Sequence, residues 1–370
     1  MVHSTFFKLA LIIFSVLFIS SKAVRADELI MSLDEAREAG YRPVEYNKIK
    51  LFAPYCVSSQ QILDWPFESF YEKSHMGNNF AQYQPYGKPG YHLGGDMILS
   101  EGSSMYAPVD GRLEAGHYGY TDLDNGDRIK QWKPWPETGH EAYFELAVID
   151  KNGMRFEFHH VDRNSLPANI VDGLNSGSIF VKKGTPLGKV YDWSFTSIHY
   201  HHVHLNVIDQ QGVYYNPESF FKLIPDTIPP DVKVLVEYES GQTRWLEDQP
   251  ISAAGPVKNI IVSGVDYKNN SEYFQAPLFI ELLYGQNKVA ELDFRLNIVQ
   301  ENGEFADIRN VYPQQIILPD GTIARQNRGF YPNEGTFYLA LSVPSDAQGS
   351  FKLNVKDIAG NASVFSGELE

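Results

Sequence analysis

Two histidines near the middle of the chain have the residue type and spacing for chemistry. His202 and His204 flank Val203 in an apolar run that is typical of a β-strand. Because side chains alternate between the two faces of a strand, His202 and His204 project from the same face. Each imidazole has a polar nitrogen that needs a partner, so such a pair is uncommon in a dry core. A metal ion is one possible partner, and a hydrogen-bonded surface pair is the simpler alternative.

Two other segments supply side chains of the same kind. His92 and Asp96 have glycines between them, so a turn or a bent strand can direct both at one ion. His160 ends a run in which strand parity places it on the same face as Phe158. Its neighbour His159 is the alternative candidate. Each segment alone is a weak signal, but together they indicate a metal site.

The elements that must position these residues are short β-strands. Between 76 and 225, turns rich in Gly, Pro, Asn and Asp separate short apolar runs, which predicts an antiparallel β domain. A segment rich in Trp, Pro and charge, from about 117 to 141, is predicted to be a surface loop that lines a binding site. Beyond a linker at 226–230, clean alternation such as that of 337–343 predicts a β-sandwich. The predicted fold is therefore mainly β and antiparallel.

The N-terminal region has the features of a secretory signal at residues 1–26. Lys8 precedes an apolar run that is too short to span a bilayer, and Val24-Arg25-Ala26 offers a cleavage point. An uncleaved membrane anchor is the alternative. We expect an exported protein, periplasmic or secreted, that has no membrane attachment after the signal is removed. Residues 27–75 are interpreted as a layer packed on the next domain, with a propeptide as the alternative.

Charge and cysteine content exclude some classes of partner. The chain has 31 basic and 46 acidic residues, and without residues 1–26 it has 28 and 46, a formal charge of −18. Such a protein repels nucleic acid and anionic membranes. Cys56 is the single cysteine, so the fold depends on its core or on a metal rather than on an internal disulfide. A mature length of about 340 residues predicts two domains.

Residues 76–225 resemble the LytM/lysostaphin-type zinc metallopeptidases. The family's H-x-x-x-D element is matched by His92 to Asp96, its Y-x-H-L strand end by residues 158–161, and its closing H-x-H by His202 to His204. The turn at 107–111 is similar to the family's A-x-x-D/S-G turn, and 183–188 to its V-x-x-G-x-x-I-G stretch. Asn206 stands where the family often has glutamate.

The resemblance implies a lysostaphin-like fold with a duplicated hybrid motif, and zinc held by His92, Asp96 and His204. His160 and His202 would be the catalytic histidines. Two imidazoles and one carboxylate leave the fourth tetrahedral position open for water, as in catalytic zinc sites. Zinc lowers the pKa of such a water to about 7, and histidines suit the proton transfers.

The implied activity is hydrolysis of peptide cross-links in bacterial peptidoglycan. A secreted protease that acts on glycine-rich proteins and a non-catalytic wall-binding or regulatory module are the alternatives. Residues 226–370 are expected to form an immunoglobulin-like β-sandwich, since 356–361 resembles the last-strand signature of bacterial immunoglobulin-like domains. His140 and Glu141 begin an H-E-x-x-H motif, but Phe144 occupies the position of its second histidine.

Overall fold

Short apolar runs pair into antiparallel sheets in both halves of the protein. The computed structural model describes residues 30–31, 62–68, 75–85, 90–122, 128–177, 179–193, 200–246, 255–269, 271–298, 306–326, 335–345 and 349–369. The strands before residue 216 are β1 (Ile30–Met31), β2 (His75–Met76), β3 (Tyr83–Gln84), β4 (Gly90–Tyr91), β5 (Gly95–Ile98), β6 (Ser104–Tyr106), β7 (Gly111–Asp122), β8 (Arg128–Pro134), β9 (Phe144–Ile149), β10 (Arg155–His159), β11 (Val161–Asp162), β12 (Ile179–Val181), β13 (Pro186–Val190), β14 (His202–Ile208) and β15 (Tyr214–Tyr215).

Ten further strands and the helices complete the described elements. The strands are β16 (Asp231–Tyr238), β17 (Thr243–Trp245), β18 (Val257–Val265), β19 (Phe279–Tyr284), β20 (Asn287–Asp293), β21 (Ile316–Ile317), β22 (Ile323–Ala324), β23 (Phe337–Ser342), β24 (Gly349–Lys356) and β25 (Ala362–Leu369). The helices are α1 (Ala168–Asn175) and α2 (Ile308–Val311), with 3-10 turns at Glu141–Tyr143, Arg163–Ser165 and Pro217–Ser219. None of these helices is long and apolar enough to cross a bilayer.

One large antiparallel sheet carries the candidate site. Its strands lie in the order β1-β12-β7-β9-β10-β14-β5-β2, with β15 beside β14 and β8 beside β7. One face packs on a hydrophobic core in which Phe158, Val203 and Leu205 are 0% exposed. The alternate residues of the same strands therefore form a second face, and that face carries the polar side chains. A separate three-stranded sheet has the order β11-β13-β6.

The stretch from 117 to 141 forms mostly a β-hairpin, so the prediction of a surface loop is wrong, although Tyr118 and Trp132 do line a cleft. β7 continues to Asp122 and pairs with β8, with Gly116 opposite Pro134 and Asp122 opposite Arg128. Main-chain pairing needs no apolar alternation, so a hairpin rich in Gly and charge has no clear strand pattern in the sequence. Residues 123–127 lie outside the described part.

The C-terminal half is a β-sandwich, as predicted. Its two four-stranded antiparallel sheets have the orders β17-β16-β18-β23 and β20-β19-β24-β25. Ile260, Ile280, Leu339 and Leu353 are 0% exposed in the core that the two sheets share. With the large sheet, this sandwich confirms the prediction of a mainly β, antiparallel fold.

Described parts of the N-terminal segment pack on the large sheet. Ile30 and Met31 pair with β12. Trp65 stacks on Phe221, with ring centroids 4.7 Å apart, inside the core beneath the large sheet. The predicted signal at 1–26 and Cys56 lie outside the described residues.

The two halves share a buried boundary. Phe80, Ala81 and Tyr83 belong to the sandwich core although they precede the large sheet's β5 in the chain. Glu218 and Lys268 form an ion pair of 2.9 Å across the boundary, and neither side chain is more than 2% exposed. The segment that leads into His92 therefore packs against the sandwich.

Candidate metal centre

Strand pairing brings three of the predicted residues to one place on the polar face. β14 lies between β5 and β10, with His204 opposite Asp96 on one side and opposite His159 on the other. His202 projects from the same face as His204, as strand parity predicts. The opposite side chains of β14 fill the core, so the histidine face is fixed by the burial of its neighbours.

His92 reaches the same place from the segment that enters β5. The chain bends at Gly94, which lies against β14. A Cβ atom at Gly94 would collide with Asn206 Oδ1 and would lie 2.8 Å from His204 Nε2. Only glycine fits this close approach, which explains the glycines between His92 and Asp96.

The residues that the resemblance assigns to zinc form a compact group. His92 Nε2 and His204 Nδ1 each lie 3.0 Å from Asp96 Oδ1. The ligand-type atoms of these three residues, the His-Asp-His group, all lie within 4.8 Å of one another. This is the separation that one ion bridges.

Hydrogen bonds fix the tautomer of each imidazole in this group. His92 Nδ1 lies 2.8 Å from the carbonyl oxygen of Asn79, so Nδ1 carries the proton and Nε2 the lone pair. His204 Nε2 lies 2.7 Å from Asn206 Oδ1, so it donates and Nδ1 keeps the lone pair. Both lone pairs therefore point at Asp96. Outer hydrogen bonds of this kind are the usual means of orienting histidine ligands to a metal.

The carboxylate of Asp96 lies at the centre of the group. Asp96 Oδ2 accepts hydrogen bonds of 2.9 Å from Asn78 Nδ2 and from the Tyr200 hydroxyl, which leaves Oδ1 to the imidazoles. Two nitrogen lone pairs that face one carboxylate oxygen repel that oxygen and each other. A cation between the three atoms removes this repulsion. Two nitrogens and one oxygen are the donor set of a catalytic zinc ion, whose fourth ligand is water.

Titration favours the form that binds a metal. Burial raises the pKa of Asp96, but His92, His202 and His204 outweigh burial and hold that pKa well below its usual range. Burial and the neighbouring His92 lower the pKa of His204 to about 3. Carboxylate and neutral imidazole are the ligating forms of these groups.

His160 and His202 form a second pair beside the His-Asp-His group. Their ring centroids are 4.7 Å apart. His160 Nδ1 donates to the Ala142 carbonyl oxygen at 2.6 Å and His202 Nδ1 to that of Tyr200 at 2.9 Å, which leaves each Nε2 with the lone pair. Trp193 packs against both rings. Burial lowers the pKa of His160 and of His202, so both are neutral at pH 7.

His160 does not share a strand face with Phe158, and the parity argument for it is wrong. β10 ends at His159, and His160 has a left-handed backbone with φ of 63°. This reversal turns the His160 ring away from the core and toward His202. The family motif places His160 beside His202, and strand periodicity does not.

His159 belongs to a different arrangement. Its Nδ1 lies 2.5 Å from Glu145 Oε1 and its Nε2 2.8 Å from Glu157 Oε1. Burial lowers the pKa of His159, but Glu145 and Glu157 outweigh burial and raise it above its usual value. Arg155 binds the other oxygen of Glu157 at 2.5 Å. We call Glu145, Glu157 and His159 the Glu-Glu-His group.

The remaining histidines near β14 contribute nothing to this geometry in the described part of the chain. His201 Nδ1 accepts from the Trp193 amide at 3.4 Å and lies 3.8 Å from an Asp192 carboxylate oxygen. His199 lies outside the described residues.

Sequence reasoning missed the residues that orient the group. Asn206 was visible as a departure from the family pattern, and its position two residues after His204 places it on the same strand face. Tyr200 lies just before the H-x-H strand without a motif of its own. Asn78 and Asn79 act through contacts formed by a loop, which leave no periodic signal in the sequence.

A cleft of about 740 Å³ lies on the polar side of the large sheet. It shares Glu157 with the Glu-Glu-His group, and Tyr118 in its wall stacks on His159 at 6.1 Å between ring centroids. Trp132, Tyr214 and Arg155 also line it. The cleft thus has aromatic walls and adjoins the Glu-Glu-His group, and the residues of the His-Asp-His group do not line it.

Comparison with known proteins gives one distant likeness. No protein-family model and no curated protein matches the chain. A chain of the SpoIIQ–SpoIIIAH pore-forming complex is 12% identical, with 44% of this chain and 92% of that chain covered and a TM-score of 0.25. A likeness of this size carries no conclusion about fold or activity.

Proposed function

We propose that the protein is an exported zinc metalloendopeptidase that hydrolyses the peptide cross-links of bacterial peptidoglycan. The observation that carries the proposal is the convergence of two imidazole lone pairs on the buried carboxylate of Asp96. That arrangement needs a cation, and its ligand set with an open fourth position is typical of hydrolytic zinc. The adjoining neutral pair, His160 and His202, favours catalysis over a purely structural metal.

The roles of the residues follow from their lone pairs. Bound zinc would polarise the scissile carbonyl and lower the pKa of the attacking water to about 7. Nε2 of His160 and of His202 can each accept a proton from that water and return it to the leaving amine. Once protonated, either ring also stabilises negative charge on the carbonyl oxygen. Trp193 covers both rings and limits access of bulk water.

Peptidoglycan is the proposed substrate because the motifs resemble those of wall peptidases. The formal charge of −15 gives no attraction to polyanions, so recognition depends on the cleft. Tyr118, Trp132 and Tyr214 supply flat apolar walls for a peptide.

The site assignment is tested by metal content and turnover in four variants of the full chain. His204→Ala and Asp96→Ala should lose bound zinc, because each removes a ligand. His202→Ala should keep zinc and lose turnover by about 10²–10⁴-fold, the usual contribution of a general acid or base. His201→Ala, next to His202 but off the polar face, should keep both. Release of zinc from His202→Ala as readily as from His204→Ala would contradict the division of roles.

The substrate is tested with purified cell wall. The zinc-loaded protein should release muropeptide fragments, followed by chromatography and mass spectrometry, and His204→Ala should release none. Cleavage of a glycine-rich protein but not of wall would favour the secreted protease. Bound zinc with cleavage of neither would favour the non-catalytic module.

A further inference from the structure

Three aspartates meet at the boundary between the large sheet and the sandwich. Asp226 lies in the connection to the sandwich, Asp266 directly follows β18, and Asp357 directly follows β24. One carboxylate oxygen of each lies within 4.8 Å of the other two. We call Asp226, Asp266 and Asp357 the three-aspartate group, which is separate from the His-Asp-His group.

The charges around this group do not balance. Lys268 carries the nearby positive charge, but its Nζ is paired with Glu218 at 2.9 Å. One ammonium thus faces the three aspartates and Glu218. Asp266 and Asp357 are each 1% exposed, so water does not screen their repulsion.

The hydrogen bonds leave oxygens facing the group without a donor. Asn361 satisfies Asp357 through its backbone N–H at 2.9 Å and its side-chain Nδ2 at 2.7 Å. Asp226 Oδ1 accepts from the Ile228 amide at 3.1 Å. In the described part of the chain, Asp266 Oδ1 is buried and has no hydrogen-bond partner, while the carboxyl groups of Asp226 and Asp357 lie close enough to share a proton. Buried carboxylate oxygens without donors are costly, so a ligand must satisfy them.

We infer that the three-aspartate group binds a calcium ion. All three side chains offer hard carboxylate oxygens and none offers nitrogen or sulfur, which favours Ca²⁺ over zinc. The three aspartates come from three separate segments of the chain, which favours irregular over octahedral coordination. Ca²⁺ tolerates irregular coordination better than Mg²⁺ does. A divalent ion would also cancel most of the excess negative charge.

The position gives such an ion a structural role. It would join the connection at Asp226 to the ends of two strands that belong to opposite sheets of the sandwich. The buried pair of Glu218 and Lys268 lies beside it. Calcium would therefore brace the boundary that holds the segment leading into His92. This role does not depend on the proposed peptidase activity.

A proton is the competing ligand. Burial raises the pKa of Asp266 to about 8, so a protonated Asp266 could satisfy the same oxygens at neutral pH. The two ligands can be distinguished at constant pH. If calcium is the ligand, adding Ca²⁺ produces binding heat and raises the stability of the fold, and if a proton is the ligand it does neither.

The test is titration with Ca²⁺ of the full chain, which is first stripped of all divalent ions by a chelating resin and then reloaded with zinc. Calorimetry should give one Ca²⁺ per chain. The Tm should rise by about 3–4 °C at a concentration about 100 times the Kd. Absence of both binding heat and a Tm shift in the wild type would overturn the inference and favour the proton. Mg²⁺ binding as tight as Ca²⁺ binding would overturn the choice of ion.

Variants locate the site. Asp266→Asn and Asp357→Asn should each weaken Ca²⁺ binding by at least about 10-fold, because each removes a charged ligand. Asp320→Asn, an exposed acid of the sandwich, should bind as the wild type does. His204→Ala should also keep the calcium effect, which separates the two metal sites. Wild-type affinity in both Asp266→Asn and Asp357→Asn would place the ion elsewhere.

Discussion

Two buried groups on the same sheet face use the same residue types to opposite effect. In the His-Asp-His group, two imidazoles each direct one ring nitrogen at the same carboxylate oxygen. In the Glu-Glu-His group, one imidazole lies between two carboxylates and uses both ring nitrogens. His159 and His204 are neighbours, with ring centroids 4.8 Å apart.

The two groups differ in whether their own side chains can supply a positive charge. Glu145 and Glu157 raise the pKa of His159, which favours its charged form, and Arg155 adds a positive charge. The pKa of His204 is lowered to about 3, so that histidine cannot supply a positive charge. Proximity of histidine and carboxylate is thus a poor criterion for a metal site. Better criteria for a metal site are the ratio of histidines to carboxylates and the direction of the histidine lone pairs.

The largest expected contrast is in zinc affinity. His92→Ala removes a ligand and should weaken zinc binding by about 3–4 kcal/mol, several-hundred-fold, since structural zinc sites gain about 10–16 kcal/mol from their ligands together. His159→Ala should change affinity by less than about 10-fold, because its nitrogens are used by acids. Competition with a zinc-sensitive dye measures both. An equal loss in the two variants would erase the distinction between the groups.

The stability of the zinc-free protein should show the reverse order. His159→Ala leaves Glu145 and Glu157 without the cation between them, and should cost about 3 kcal/mol. His92→Ala relieves a repulsion between lone pairs and should cost less than about 1 kcal/mol. Urea unfolding of both variants gives the two free energies. A greater cost for His92→Ala would mean that the His-Asp-His group is itself a structural network.

Asn206 links the two groups and should have an intermediate effect. Asn206→Ala removes the acceptor of the His204 Nε2 proton, at 2.7 Å, and should weaken zinc binding by about 10–100-fold. Asn354→Ala is a matched control, because Asn354 is a buried strand asparagine bonded to Glu281 in the sandwich. Unchanged zinc affinity in Asn206→Ala would show that His204 is oriented by packing alone.

The smallest expected effect is on the pH dependence of stability. The pKa of His159 in the folded protein is raised above its ordinary value of 6.5. Its stabilisation is therefore fully present below pH 6.5 and is lost as pH rises through the folded pKa. Over that window the wild type should lose at most about 1.4 kcal/mol per pH unit more than His159→Gln. Parallel curves for the two proteins between pH 6 and 9 would indicate a neutral His159.

Much of the site is predictable from the sequence, because the spacing of residues along a strand determines which side chains share a face. The alternation around His202 and His204 identifies their common face, and the glycines between His92 and Asp96 indicate a bend. The antiparallel sheets and the sandwich follow from the same alternation. The hairpin of β7 and β8 was missed because pairing by the main chain leaves no such pattern.

The sequence by itself determined which side chains share a strand face, and hence that His202 and His204 lie together on a mainly β fold. Only the tertiary structure decided which strands are neighbours, and so that Asp96 lies opposite His204. It also decided that His160 leaves its strand, and that Asn79 and Asn206 set the direction of the lone pairs. The physical reason is that face is set by a period of two residues along the chain. Register, backbone reversal and tautomer depend instead on contacts between segments far apart in the sequence.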